Sequence, residues 1–165
     1  MTAGVTYSPI STQTLGSAAA SVTFSSIPST YTDLILIAQP QKSTAGGGTI
    51  RMQFNSDTNT NYSSTALYGD GSSAGSDRAA NVAFTRLAFW TGDSVGNVVI
   101  GNFQNYANTT TYKTVLSRMN NASGTTGSIV GLWRSTSAIS TIYIYNDGGN
   151  FNTGSTFTLY GVTAA

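Results

Sequence analysis

The chain predicts an all-β fold, an antiparallel two-sheet β-sandwich of jelly-roll-like type, and three observations carry that expectation. Ser, Thr, Asn and Gly make up nearly half of the 165 residues while charged residues supply only 8%. Thr suits strands, and Gly, Asn and Ser suit tight turns. Short apolar or alternating runs recur at the spacing of sandwich strands, each closed by a turn signal. Good helix formers are scarce and there is no glutamate, so no stretch reads as a helix. By length residues 1–165 form one domain, large enough to bury roughly 70% of its unfolded surface without a disulfide or a metal.

Residues 1–20 are weakly patterned, with Tyr7, Ile10 and Leu15 as their bulky apolar side chains, and read as an extended N-terminal arm or an edge strand. Ala20 to Phe24 is a first regular strand, and Ile27-Pro28-Ser29 turns the chain into the strand that organises the rest, Tyr31 to Pro40. Its run Leu34-Ile35-Leu36-Ile37-Ala38 is apolar in both phases, so both of its faces ask for cover, one from the core and one from the N-terminal segment or a neighbouring subunit. After the glycine-rich Lys42 to Gly48, Ile50, Met52 and Phe54 alternate with Thr49, Arg51 and Gln53, a half-buried strand. Tyr62 to Tyr68 is another strand, and Gly69 to Ala80, with almost nothing to bury, reads as a long surface loop. Strands follow at Val82 to Trp90, Val95 to Phe103, Tyr112 to Met119, Ser128 to Arg134, Ile139 to Tyr145 and Ser155 to Val162, about ten in all. In Ile139 to Tyr145 both phases are again bulky, Ile142 and Ile144 on one face and Tyr143 and Tyr145 on the other. Two doubly apolar strands suggest a buried subunit interface.

The chemistry is sparse. Without histidine or cysteine, the Ser-His-Asp and Cys-His arrangements and the usual zinc and copper sites are excluded. The carboxylates are Asp33, Asp57, Asp70, Asp77, Asp93 and Asp147, five of them in expected loops, where turn duty explains them and no pair is marked out for glycoside hydrolysis. Asp57-Thr-Asn59-Thr-Asn61 imitates the start of an EF-hand loop, but Tyr62 stands where glycine is needed and Tyr68 where a bidentate glutamate is needed. Asx turns are the better reading. Gly46-Gly47-Gly48 lacks the lysine and helix of a phosphate cradle and reads as a hairpin loop. Trp90 and Trp133 read as core residues rather than a sugar platform. The expectation is therefore no enzyme, no cofactor and no metal. The five arginines are scattered and the net charge is +1, against a nucleic-acid partner. No apolar run approaches the roughly 20 residues of a membrane span, and the Met1 end shows no secretory signal. The N-x-S/T matches at Asn61, Asn108 and Asn121 are what this composition gives by chance.

Four stretches carry a family resemblance: Phe24 to Leu34, with Ile27-Pro28 and Tyr31-Thr-Asp33; Phe54-Asn55-Ser-Asp57 with Asn61-Tyr62-Ser63; Ala138-Ile139-Ser-Thr-Ile142; and Gly149-Asn150-Phe151 through Phe157-Thr-Leu159-Tyr160-Gly161. With them the chain resembles small β-rich virion proteins and fibre-terminal domains of tailed bacteriophages. The resemblance implies a non-enzymatic particle component located in the virion and made in the host cytoplasm. A capsid decoration (cement) protein would bind the major capsid protein on the outer head, as a homotrimer where capsomers meet, with residues 1–20 laid on a neighbour. The alternative is a tail-fibre or receptor-binding protein presenting Gly69 to Ala80 and Asn105 to Thr111 to a host surface glycan. Because the matching region begins so near Met1, leaving little room for a fibre's attachment region, decoration is the expected role.

Overall fold

The computed structural model describes residues 6–42, 48–89, 97–121 and 124–163. Among them the chain forms strands β1 (Tyr7–Thr14), β2 (Ser21–Phe24), β3 (Asp33–Gln39), β4 (Thr49–Phe54), β5 (Tyr62–Gly69), β6 (Ala74–Val82), β7 (Thr85–Phe89), β8 (Val98–Phe103), β9 (Lys113–Asn120), β10 (Thr126–Trp133), β11 (Ile142–Asn146) and β12 (Thr156–Val162), and no helix. They make two antiparallel sheets packed face to face, a β-sandwich as the sequence predicts. The large sheet runs β1-β12-β3-β8-β9-β10-β5-β6 and the small one β2-β11-β4-β7. This eight-and-four division departs from the two equal sheets of an eight-stranded jelly roll. Consecutive strands change sheet except in the β5–β6 hairpin and the β8–β9–β10 meander.

Alternation builds the core. On β3, Leu34, Leu36 and Ala38 turn inward and are at most 1% exposed; Ile50, Met52 and Phe54 of β4 and Ile142 and Ile144 of β11 meet them from the small sheet, all 0% exposed. Each of these side chains other than Ala38 contributes about 1.5–3 kcal/mol by leaving water. The sheets approach closely at Gly131 of β10, where any Cβ would collide with the Thr85 side chain of β7. Trp133 is buried and its ring lies 6.0 Å from that of Tyr62 at 15°, with Phe54 and Phe103 completing an aromatic knot. Trp90 lies outside the described residues.

Two expectations change and one alternative is resolved. The stretch Gly69 to Ala80 is not a long loop: Asp70 to Ser73 is a tight turn and Ala74 onward is β6, the sheet-edge partner of β5. Its sequence, AGSDRAANV, pairs through the backbone at an edge and buries almost nothing, so it carries no apolar period to read. The expected strand Val82 to Trp90 breaks after Val82, beside Asn81 with φ 54, and resumes as β7. Residues 7–14 take the edge-strand option over a free arm, pairing with β12 across a bulge at Pro9 to Ser11. Proline is tolerated there because an edge strand need not donate from every residue.

Candidate interaction surface

The described aspartates are engaged in holding loops. Asp57 sits in the β4–β5 loop, where its Oδ1 accepts from the Asn59 backbone N–H at 2.9 Å and from Asn59 Nδ2 at 2.8 Å. Its Oδ2 accepts from Asn61 Nδ2 at 2.8 Å and Trp133 Nε1 at 2.7 Å. Partial burial opposes ionisation, but these hydrogen bonds outweigh it and hold the carboxyl below its ordinary range. Both oxygens thus face N–H donors, the reverse of what a cation needs. The EF-hand imitation is an Asx turn locked to a core tryptophan. Asp70 caps its turn by accepting from the Ser72 and Ser73 N–H groups at 2.9 and 2.7 Å, which depress its pKa. Asp33 accepts from the Asn105 N–H at 2.6 Å, while Asp77 pairs with Arg86 at 2.7 Å. Among the described residues no group of three or more His, Cys, Asp or Glu could hold a metal. Asp93 and Gly46-Gly47 lie outside them.

Of the four stretches that carry the family resemblance, three meet at one end of the sandwich. Asn55, with φ 53, accepts through Oδ1 from the N–H groups of Ser140 and Thr141 at 2.9 and 3.0 Å and donates through Nδ2 to Ala138 O at 2.7 Å. The Phe54 N–H donates to the Tyr62 hydroxyl at 3.0 Å, the Ile27 N–H to Ser140 O at 3.0 Å, and the Tyr106 hydroxyl to Pro28 O. Nearby Lys113 is buried, with Nζ donating to Thr111 O and Thr136 O at 2.7 and 3.2 Å; burial lowers its pKa. The Asn105 to Thr111 loop is likewise closed, by Asn108 Oδ1 accepting from the Thr110 and Thr111 N–H groups. These residues knit loops together.

The outward faces of the two sheets differ. Strand register places Tyr160, Ile35, Asn102, Leu116, Val130 and Thr65 in one row across the large sheet, and Thr158, Ile37, Ile100, Arg118, Ser128 and Leu67 in the next. Leu67 is 64% exposed, Val130 53%, Leu116 50% and Ile37 39%. An antiparallel sheet with one wet face normally shows polar residues there. Here the described chain leaves aliphatic side chains standing in water across five strands. The surface is uneven: a hollow of about 560 Å³ is lined by Ile35, Ile37, Ile100 and Leu116 together with Tyr7, Asn102 and Arg118, and a second of about 560 Å³ flanks Leu67 on the other side of Arg118.

The small sheet presents Thr23, Tyr143 and Gln53 in one row and Ser21, Tyr145, Arg51 and Arg86 in the next. The rings of Tyr143 and Tyr145 stack 5.3 Å apart at 28°. Arg51 lies 3.9 Å over the Phe84 ring and pairs with Asp147, whose Oδ1 also accepts from the Thr49 N–H at 2.6 Å. Burial raises the Tyr145 pKa, against the hydrogen bond and charge of Arg51. Gln53 and Gln13 donate to the backbone oxygens of Ala83 and Thr23. Most polar groups of this face are engaged within the chain, Arg51 Nε being left without a hydrogen-bond partner.

No protein-family model matches the chain, and no curated protein or solved structure matches it. Sequence reasoning set Ile35 and Ile37 on the face opposite Leu34, Leu36 and Ala38 without deciding which face is outward, and missed that Ile100, Leu116, Val130 and Leu67 stand beside them. The signal was present in TVLSRM, SIVGLW and SSTALY, each carrying an aliphatic residue in both phases.

Proposed function

We propose that the protein is a non-enzymatic structural component that works by surface contact, as a decoration (cement) protein on the outer head of a tailed bacteriophage. The observation that carries the contact reading is the aliphatic outer face of the large sheet. A patch of this kind on a chain whose described carboxylates are committed to turns and ion pairs favours binding over chemistry. The phage setting rests on the motif resemblance. In this reading the partners are further copies of the chain and the major capsid protein. A protein that binds only the assembled shell raises the free energy of opening it, and symmetry multiplies weak contacts.

The alternative, a tail-fibre protein recognising a host glycan, is favoured by one observation: the stacked Tyr143 and Tyr145 beside Arg51, Asp147 and Gln53 combine ring faces with hydrogen-bonding groups, as sugar recognition requires. Quantitative mass spectrometry of purified particles separates the two. Copy number scaling with capsomers is expected for decoration; a few copies per particle would move the chain to the tail, and its absence from particles would sink both.

A further inference from the structure

We infer that the large-sheet face closes on a second copy of the same chain, sheet against sheet, around a two-fold axis parallel to the strands and midway between β9 and β10. The inference rests on the contact reading of this face and commits it to one partner. A two-fold lying in the interface lays each strand on one side of the axis over its counterpart on the other side: β9 over β10, β8 over β5 and β3 over β6 of the second copy. With the register of this sheet, Leu116 then faces Val130 of the second copy and Ile100 faces its Leu67. In the same arrangement Asn102 faces Thr65 of the second copy, and Arg118 faces its Ser128. Across the four central strands apolar meets apolar and polar meets polar, while at the flanks Ile35 faces Arg78 of the second copy and Ile37 faces its Ser76.

Relief agrees with register. The protruding Leu67 of one copy stands over the hollow that Ile37 and Ile100 line in the other. Because each sheet twists, the facing strands diverge away from the axis and the match is tightest near it, at Leu116 and Val130. Six strands about 4.8 Å apart and about 17 Å long present on the order of 500 Å² before side-chain relief. A specific interface starts at about 600 Å² per partner, so this face approaches the size a stable dimer needs. Arg118 is displaced from its own symmetry mate and faces Ser128 of the second copy, and Arg78 meets the second copy only at the outer flank, over Ile35.

The chain has no cysteine, so single cysteines report cleanly. Ile100→Cys and Leu67→Cys chains are mixed and treated with a bis-maleimide shorter than three strand spacings, about 14 Å. Mixed cross-links several-fold above either like pair are expected, because like positions lie that far apart across the axis. In parallel, the wild type sediments as a dimer at tens of micromolar and Val130→Lys, shown to be folded by its thermal transition, shifts to monomer. A wild-type trimer, a dimer indifferent to Val130→Lys, or equal cross-linking of like and unlike pairs would overturn the inference. A monomer that still loads onto particles would overturn the dimer while leaving the proposed function standing; a monomer that does not load would remove both.

Discussion

Strands β3 and β11 have nearly the same sequence pattern, bulky in both phases, yet they end in opposite circumstances. The outward side chains of β3, Ile35 and Ile37, join aliphatic neighbours from β8, β9, β10 and β5, a face whose polar contacts are few, among them Asn102 Nδ2 donating to Leu116 O. Those of β11, Tyr143 and Tyr145, join Arg51, Asp147 and Phe84, which bind one another. An apolar outward residue gains nothing from its own chain unless something covers it, whereas a tyrosine with an arginine beside it is stabilised where it stands. In the proposed reading the first face is the one that meets a partner. The second closes on itself.

Substitutions can break this contrast, and the inward residues set its scale. Leu36→Ala, beneath the large-sheet face, is expected to cost about 2–5 kcal/mol in urea unfolding through the cavity it leaves. If Leu36→Ala were neutral, the division into core and contact face would fail. Next, Asp57→Asn should cost about 1–3 kcal/mol at neutral pH, because an amide nitrogen would be turned toward the Asn61 or Trp133 donor. Its folded pKa is depressed, so the stability it gives is complete above the ordinary carboxylate value of about 3.9 and is lost as pH falls through the folded value. The wild-type and variant stability curves should therefore converge in acid; a constant gap down to pH 2 would assign the loss to packing instead.

On the small-sheet face, Arg51→Met should cost about 1 kcal/mol, since the pair with Asp147 is partly exposed, at 29% and 26%, and part of its worth is the contact with Phe84. Self-association should not change. The smallest effect on folding belongs to the aliphatic face: Leu116→Thr should shift the stability of the dilute monomer by no more than about 0.5 kcal/mol, while weakening association by tenfold or more. A large loss of monomer stability would show that Leu116 already has a partner within its own chain.

Much of the fold was legible because burial imposes a period. The inward residues of β3, β4, β11 and β12 alternate cleanly, and the two-sheet sandwich follows from them. Edge strand β6 was not legible, since a strand that pairs by backbone and buries nothing leaves no trace in side-chain order. Nor was the eight-and-four division, which depends on which strands cross between sheets rather than on any local pattern. The contact face was half legible. Alternation showed that β3 is apolar on both faces, but only register could show that Ile35 and Ile37 face outward and set Ile100 of β8, Leu116 of β9 and Leu67 of β5 alongside them. The stretches that look most distinctive in sequence, around Asn55, Asp57 and Ser140, proved to be loop latches, because a buried turn constrains residue identity as tightly as a binding site does.

The most direct test of the contact face is hydroxyl-radical footprinting of the protein free and in its assembled state, read by mass spectrometry at individual side chains. The account predicts that Leu67, Leu116 and Val130 label strongly when free and are protected on assembly, while Tyr143 and Tyr145 keep their labelling. Protection of the tyrosines with the aliphatic residues left open would contradict it and transfer the working surface to the small sheet.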